Sequence, residues 1–246
     1  IGIFDKNSEV IGRRVRGLPI RDVSDLTAFC QQYRPKMAVL CIPKEAAQEI
    51  RLTRKKEGFK DASQVQYVCR AGNFTKDGYE FNGALNILRV ALSYDYFWIN
   101  VRVKGGAYGV MNGAGRFGDS YFVSYRDPNL RETNEVYEGI VPYLEQFEAD
   151  ERDMTKFVIG TISDLDAPLL PPYKGIRADA AWFTGVTDAM VQKERDEILA
   201  VTPEDIRELA PIIRAVLSEQ SICAIGNAEK VKANQDLFKT VKNLFN

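Results

Sequence analysis

The spacing of apolar and polar positions divides the chain into two dissimilar parts. In the first fifty residues, short apolar runs alternate with amphipathic stretches. "IGIFD" (1–5) and "GLPI" (17–20) read as strands, and "MAVLCI" (37–42) is a continuous apolar run of strand length. Between them Ser24 caps an expected helix through "DLTAFCQQY", where Leu26, Phe29 and Cys30 form one stripe, and Pro43 opens another at "KEAAQEI". This rhythm predicts a partial, parallel β-α-β piece of Rossmann-like type. The basic, turn-rich "RLTRKKEGFKD" (51–61) interrupts it. The expected organisation is a segment over 1–50, a junction over 51–56 and a second domain over 57–246.

In the second part the period changes. "SQVQYVCRAG" alternates as a strand, with Val65, Tyr67 and Cys69 on one side. From about Glu80, Ala84, Leu85, Leu88, Ala91 and Leu92 recur at helical spacing. "GGAYGVMN" (105–112) and "SYFVSYRD" (120–127) read as two strands joined by the hairpin loop "GAGRFGD". Helices follow through "LRETNEVYEGIVPYLEQF", kinked at Pro142, through "MTKFVIGTISDLD" and through "AMVQKERDEIL", with a break at "APLLPPYKG". Thr202-Pro203-Glu204 starts a further helix, and "SICAIG" is a late strand. The expected class is α/β overall: an α+β domain with a mainly antiparallel sheet and helices on one face, preceded by the Rossmann-like piece.

One motif competes with the hairpin. Gly113-Ala114-Gly115-Arg116-Phe117-Gly118 spells G-x-G-x-x-G, the dinucleotide-binding pattern. That pattern requires a helix to open after the last glycine, so that its N-terminal amides meet the pyrophosphate. Here "DSYFVSYRD" follows, with strand alternation, and the glycines are assigned to a turn.

Composition narrows the chemistry. Net charge is −1 over 246 residues, which gives no reason to expect a nucleic-acid partner. No apolar run reaches the roughly 18 residues needed to span a bilayer, so no membrane partner is expected. The chain opens at Ile1 without a signal-peptide pattern, and a fragment or processed chain is expected. Cys30, Cys41, Cys69 and Cys223 are widely spaced without a C-x-x-C pair, which suits buried thiols in a reducing, cytoplasmic setting. The chain contains no histidine. A Ser-His-Asp or Cys-His triad and an imidazole zinc site are therefore excluded. The acids Asp164 and Asp166 in "SDLDAP" raise a Mg²⁺ site as one reading and a solvated helix end as the other, which the nearby helix end and Pro168 favour.

Two resemblances follow from the motifs. "IGIFDKNSEVIGRRVRGLPI", "DVSDLTAF" and "MAVLCIPKEAAQEI" resemble the middle of the NAD-binding domain of the redox-sensing repressor Rex. That resemblance implies NAD as a cofactor, with Asp5 at the ribose hydroxyls; the winged helix and phosphate loop of that family are not found in the sequence. "DASQVQYVCRAGNF", "GYEFNGALNILRVALS", "VRVKGGAYGVMN", "SYFVSYRDPNL", "FVIGTISDLDAP" and "GVTDAMVQKERDEIL" are similar, in order, to the C-terminal domain of presequence protease. That family belongs to the pitrilysin and insulin-degrading superfamily of zinc metallopeptidases.

The second resemblance implies a domain that closes over unstructured peptides, paired with an N-terminal half that carries the zinc motif H-x-x-E-H. No cofactor is then expected in this chain. Arg102 and Tyr108 of "RVKGGAY" match the Arg and Tyr that such a domain extends to the other half's active site. Tyr108 would donate to the oxygen on which charge develops, and Arg102 would hold a substrate carbonyl. Gly105, Gly106 and Gly109 are expected to keep a strand bare for a close approach. Ser124, Tyr125, Arg126 and Asp127 read as structural, with Asp127-Pro128-Asn129 a turn into the next helix. The alternative functions are a fragment of an NAD(H)-responsive regulator and a peptidase-like interaction scaffold.

Overall fold

The structure is a computed structural model and describes residues 3–5, 14–15, 18–25 and 55–245. The chain divides into two units, Ile1–Leu52 and Thr53–Asn246. In the first, β1 (Ile3–Asp5) pairs in parallel with β3 (Leu18–Asp22), and β2 (Arg14–Val15) pairs antiparallel with β3. Val23–Asp25 makes a single 3-10 turn, where the Ser24 N–H donates to Asp22 Oδ1 at 2.8 Å. The expected strand over 37–42 and the helices through 25–33 and 44–50 lie, apart from Asp25, outside the described residues.

The second unit is built on a six-stranded mixed sheet ordered β6-β7-β5-β8-β4-β9. Its strands are β4 (Lys56–Asp61), β5 (Gln66–Asn73), β6 (Gly109–Ala114), β7 (Asp119–Asp127), β8 (Ser221–Asn227) and β9 (Thr240–Asn243). The β6–β7, β5–β7 and β5–β8 pairings are antiparallel, while β4 runs parallel to β8 and β9. The basic stretch read as turn-rich thus contains a strand. Its charges are accommodated because Glu57 pairs with Lys55 and Lys242, while Gly58 lets the Phe238 ring and Val231 lie against the backbone.

Alternation fixes the covered face. Val68 and Arg70 on β5, Phe122 and Ser124 on β7, and Ile222 and Ala224 on β8 are buried beneath the helices. Val65, Tyr67 and Cys69, expected to share a side, occupy the opposite, more exposed side of the strand. Helix α1 (Ala84–Ala91) buries Leu85, Ile87, Leu88 and Ala91 and continues through two stretches of wide π turns, Leu92–Tyr96 and Trp98–Val103. Phe97 from this extension meets Phe122 and Tyr137, with ring centroids 6.0 and 5.9 Å apart. Buried Arg70 donates to Asn134 Oδ1 at 2.9 Å and to the Leu217 carbonyl at 2.8 Å, and pairs with Glu138. A charge so placed needs all of these partners.

The remaining helices are α2 (Arg131–Glu138), α3 (Ile140–Glu145), α4 (Glu151–Leu165), α5 (Pro171–Thr184), α6 (Asp188–Ala200), α7 (Pro203–Arg207), α8 (Ala210–Ser218) and α9 (Ala228–Ala233). The break between α2 and α3 falls at Gly139, one turn before Pro142, where the proline ring and its missing N–H disrupt the bond to the Glu138 carbonyl. Helix α5 starts inside the expected break, because Pro171 and Pro172 occupy the first turn, where amides have no helical partner. Thr202 caps α7 in a reciprocal box with Asp205.

Candidate functional site

The extended helix after α1 ends at a glycine pair. The N–H of Lys104 donates to the Ile99 carbonyl at 2.9 Å, a five-residue step that widens the last turn and turns Arg102 toward solvent. Gly106 then adopts φ 77°, a left-handed conformation that L side chains resist, and the chain leaves toward β6. Asn129 Nδ2 donates to the Gly105 carbonyl at 2.5 Å, which ties this corner to the turn after β7. The strand begins only at Gly109. Gly105 and Gly106 therefore belong to a helix end and not to the bare strand expected of them.

Gly109 is also not open to a ligand. It is buried, and a Cβ there would lie 2.4 Å from the Tyr125 ring. Gly113 lies in the same relation to Tyr121, at 2.8 Å. The strand glycines seat the chain's own tyrosines.

Tyr108, directly before the strand, is 58% exposed. Its N–H donates to the Arg126 carbonyl at 3.3 Å and its ring packs edge-on against Tyr125, centroids 5.6 Å apart. The Arg102 guanidinium lies 5.8 Å from the centre of that ring and 4.7 Å from the centre of the Trp98 ring. The Arg126 guanidinium lies 5.6 Å from the Tyr108 ring. Arg102 and Tyr108 thus come together at the surface, joined by Trp98, Tyr125 and Arg126.

Arg126, read as structural, is exposed where alternation would bury it. In β7, Ser120, Phe122 and Ser124 are buried, so strict alternation would bury Arg126 as well. The β5–β7 register slips between Gln66 and Val68, a bulge that places one extra residue in β7. Arg126 takes φ 48°, and both it and its exposed side chain leave the sheet interior. Such a backbone costs about 1–2 kcal/mol for a residue with a Cβ. An exposed cation–π contact returns only about 0.5–1 kcal/mol. A charged residue at a position where alternation demands an apolar one was the available sequence signal for this bulge.

The bulge resets the alternation so that Asp127 is fully buried. Its carboxylate accepts from the Asn129 N–H at 2.8 Å and from Thr133 Oγ1 at 2.7 Å, which forms the expected turn into α2.

Beyond this cluster, the sheet face opposite the buried one carries Tyr67, Met111, Tyr121, Val123, Tyr125 and Ile225. Of these, Tyr67, Met111 and Tyr121 are 46%, 50% and 42% exposed. An apolar, aromatic face of this kind on a folded domain marks a surface that meets something. Cys69 and Cys223 lie directly opposite each other there as free thiols, and burial pushes both thiols up from their ordinary pKa.

The other candidates take structural roles. In the G-x-G-x-x-G stretch, Gly115 donates to the Asp119 carbonyl at 2.7 Å and Gly118 to the Gly115 carbonyl at 3.0 Å, which closes the β6–β7 hairpin. Arg116 Nε bonds Glu194 at 2.9 Å. Asp164 pairs with Arg89, and Asp166 with Arg195, whose guanidinium lowers the Asp166 carboxyl pKa. Among the described residues no group of three or more His, Cys, Asp or Glu is arranged to hold a metal. Asp5 ends β1 in the other unit. No helix of the described residues is long and apolar enough to cross a membrane.

Comparison with known proteins places this geometry. The PreP C-terminal domain matches residues 56–228. The chain is 46% identical over 193 residues to Protein HypA of Clostridium perfringens, covering 78% of this chain and 20% of that protein. It is 36% identical over 184 residues to Presequence protease 1, chloroplastic/mitochondrial, of Arabidopsis thaliana, covering 74% and 17%. It therefore spans about a fifth of the length of these relatives. The peptidase M16 inactive domain of Pseudomonas fluorescens shares the fold with a TM-score of 0.51 at 15% identity, covering 85% of this chain and 52% of that one. A conserved protein from Enterococcus faecalis does so at 0.52 and 16%, covering 85% and 51%. The match does not extend to the first fifty residues, and it carries nothing for the Rex-like reading. From residue 56 onward, the chain belongs to the family of presequence protease C-terminal domains.

Proposed function

We propose that residues 53–246 form the non-catalytic half of a zinc metallopeptidase, closing over unstructured peptides while an N-terminal half supplies the metal. One observation carries the reading. Arg102 and Tyr108, separated by a helix end, meet at the surface with a guanidinium 5.8 Å from the ring. They stand beside an open, tyrosine-bearing sheet face.

The described residues do not fit a zinc ion. The chain has no histidine, and among the described residues no three Cys, Asp or Glu side chains are arranged to hold a metal. No chemical step is therefore assigned to a metal here. What the residues offer is positioning. A phenol donor at the rim strengthens its hydrogen bond as a peptide carbonyl oxygen gains charge, an effect worth about 3 kcal/mol where such donors have been removed. The guanidinium, with its fixed fork of donors, orients the peptide backbone. Gly105 and Gly106 shape the corner that presents both groups.

The partner is an N-terminal metallopeptidase half and the cargo an unstructured peptide. A cytoplasmic, reducing setting is part of the proposal, on the wide spacing of the four cysteines in the sequence. The test is complementation. The purified chain should leave peptides intact, with or without chelator, and should support their cleavage when a zinc-bearing N-terminal half is added. Chelator-sensitive cleavage by the pure chain contradicts the reading.

A further inference from the structure

We propose that Arg126 and Arg102 together form a carboxylate-binding subsite beside Tyr108, which selects peptides carrying an acidic group close to the bond being cut. The inference rests on the reading above, in which Tyr108 faces the reacting carbonyl. It begins from a strained residue. Arg126 holds φ 48° at a bulge that lifts its side chain out of the buried alternation of β7. Strain kept at one position, together with an exposed charged side chain, points to a use for that side chain.

Two further facts give the use its chemistry. The Arg102 and Arg126 guanidiniums lie 5.8 and 5.6 Å from the centre of one ring. Among the described residues neither forms an ion pair with a carboxylate, although most other arginines of this unit do. Asp127, adjacent in sequence to Arg126, is buried with both oxygens engaged by Asn129 and Thr133. Among the described residues, the Lys104 and Lys230 side chains, also on this corner, donate to the neutral acceptors Asn100 Oδ1 and the Pro128 carbonyl. The result is a cationic corner without its counter-charge. A planar guanidinium binds a carboxylate through paired N–H bonds, whereas a neutral peptide carbonyl takes one. Both guanidiniums lie within 6 Å of the centre of the Tyr108 ring, so a carboxylate bound at this corner places a nearby peptide bond at Tyr108. The carboxylate is an acidic side chain or the peptide's own C-terminus.

The subsite is tested on the chain itself by NMR titration with three N-terminally blocked peptides of equal length. One is amidated without acids, one is amidated with a single Glu, and one ends in a free carboxylate with neutral side chains. The acid-bearing peptides should bind about tenfold more tightly than the neutral one, shifting the Nε–H signals of Arg102 and Arg126. Whichever acid gains this margin identifies the source. Arg126→Gln should abolish the margin, and Arg126→Lys should retain part of it. Arg126→Gly, which relieves the left-handed backbone and so folds without strain, should lose the margin as well. Equal affinity for all three peptides overturns the subsite and leaves the closing role standing. Absence of binding by every peptide overturns both.

Discussion

Three phenols show how burial sets the chemistry of single residues. Desolvation pushes Tyr96 up to about 12, and Tyr143 to about 12 with help from Asp95 and Tyr96; Tyr137, more deeply buried, is raised further. Tyr96 Oη donates to the Val136 carbonyl at 2.7 Å, and Tyr137 Oη to the Val68 carbonyl at 3.2 Å, so both must stay protonated to hold α2 and β5. In the unfolded chain a phenol ionises near 10. Between about pH 10 and pH 12 the unfolded state therefore binds fewer protons than the folded one, and stability falls as pH rises. Their contribution is complete below pH 10 and is lost through 12. Denaturant midpoints across this range should decline, and more shallowly for Tyr96→Phe. A flat profile would contradict the account. Tyr108 and Arg102 were legible as single residues because their spacing matched a family pattern. Their neighbours Trp98, Tyr125 and Arg126 were not, since a bulge, signalled only by one charged residue out of alternation, and a widened helix end, signalled by nothing in the period, bring them together.

At the scale of elements, alternation and capping were readable where each element obeys its own period. The β6–β7 hairpin, helix α1, the Thr202 cap and β8 lie close to where the pattern places them. Failures came where the environment outweighed the local signal. Charged β4 is a strand because Glu57 finds Lys55 and Lys242, and because Gly58 admits Phe238. Helix α5 begins at two prolines that punctuate a loop as readily as they start a helix. The end of α8 offers a test of the backbone argument. Gln220, the residue after the C-cap, holds φ 50°, where glycine is at ease. Gln220→Gly should raise unfolding stability by about 0.5–1 kcal/mol, offset in part by the exposed bond from Lys56 to its side chain. A loss of stability in urea melts would contradict the cap geometry.

For the whole molecule, the lack of histidine and an open sheet face agree with one another. In the proposed reading, a chain without histidine contributes a wall, an aromatic surface and two positioned groups at its edge. The fold class was legible because a mainly antiparallel sheet under helices follows from alternation next to helical periods. The pairing order β6-β7-β5-β8-β4-β9 was not, since it depends on which strands meet across long separations. The most direct measurement is steady-state turnover of an unstructured peptide by a zinc-bearing N-terminal half joined with this chain, comparing the native sequence with Tyr108→Phe. The account predicts that kcat falls about 100-fold, as loss of a donor to the developing oxyanion requires, with KM changed by less than about threefold. Unchanged kcat would contradict it.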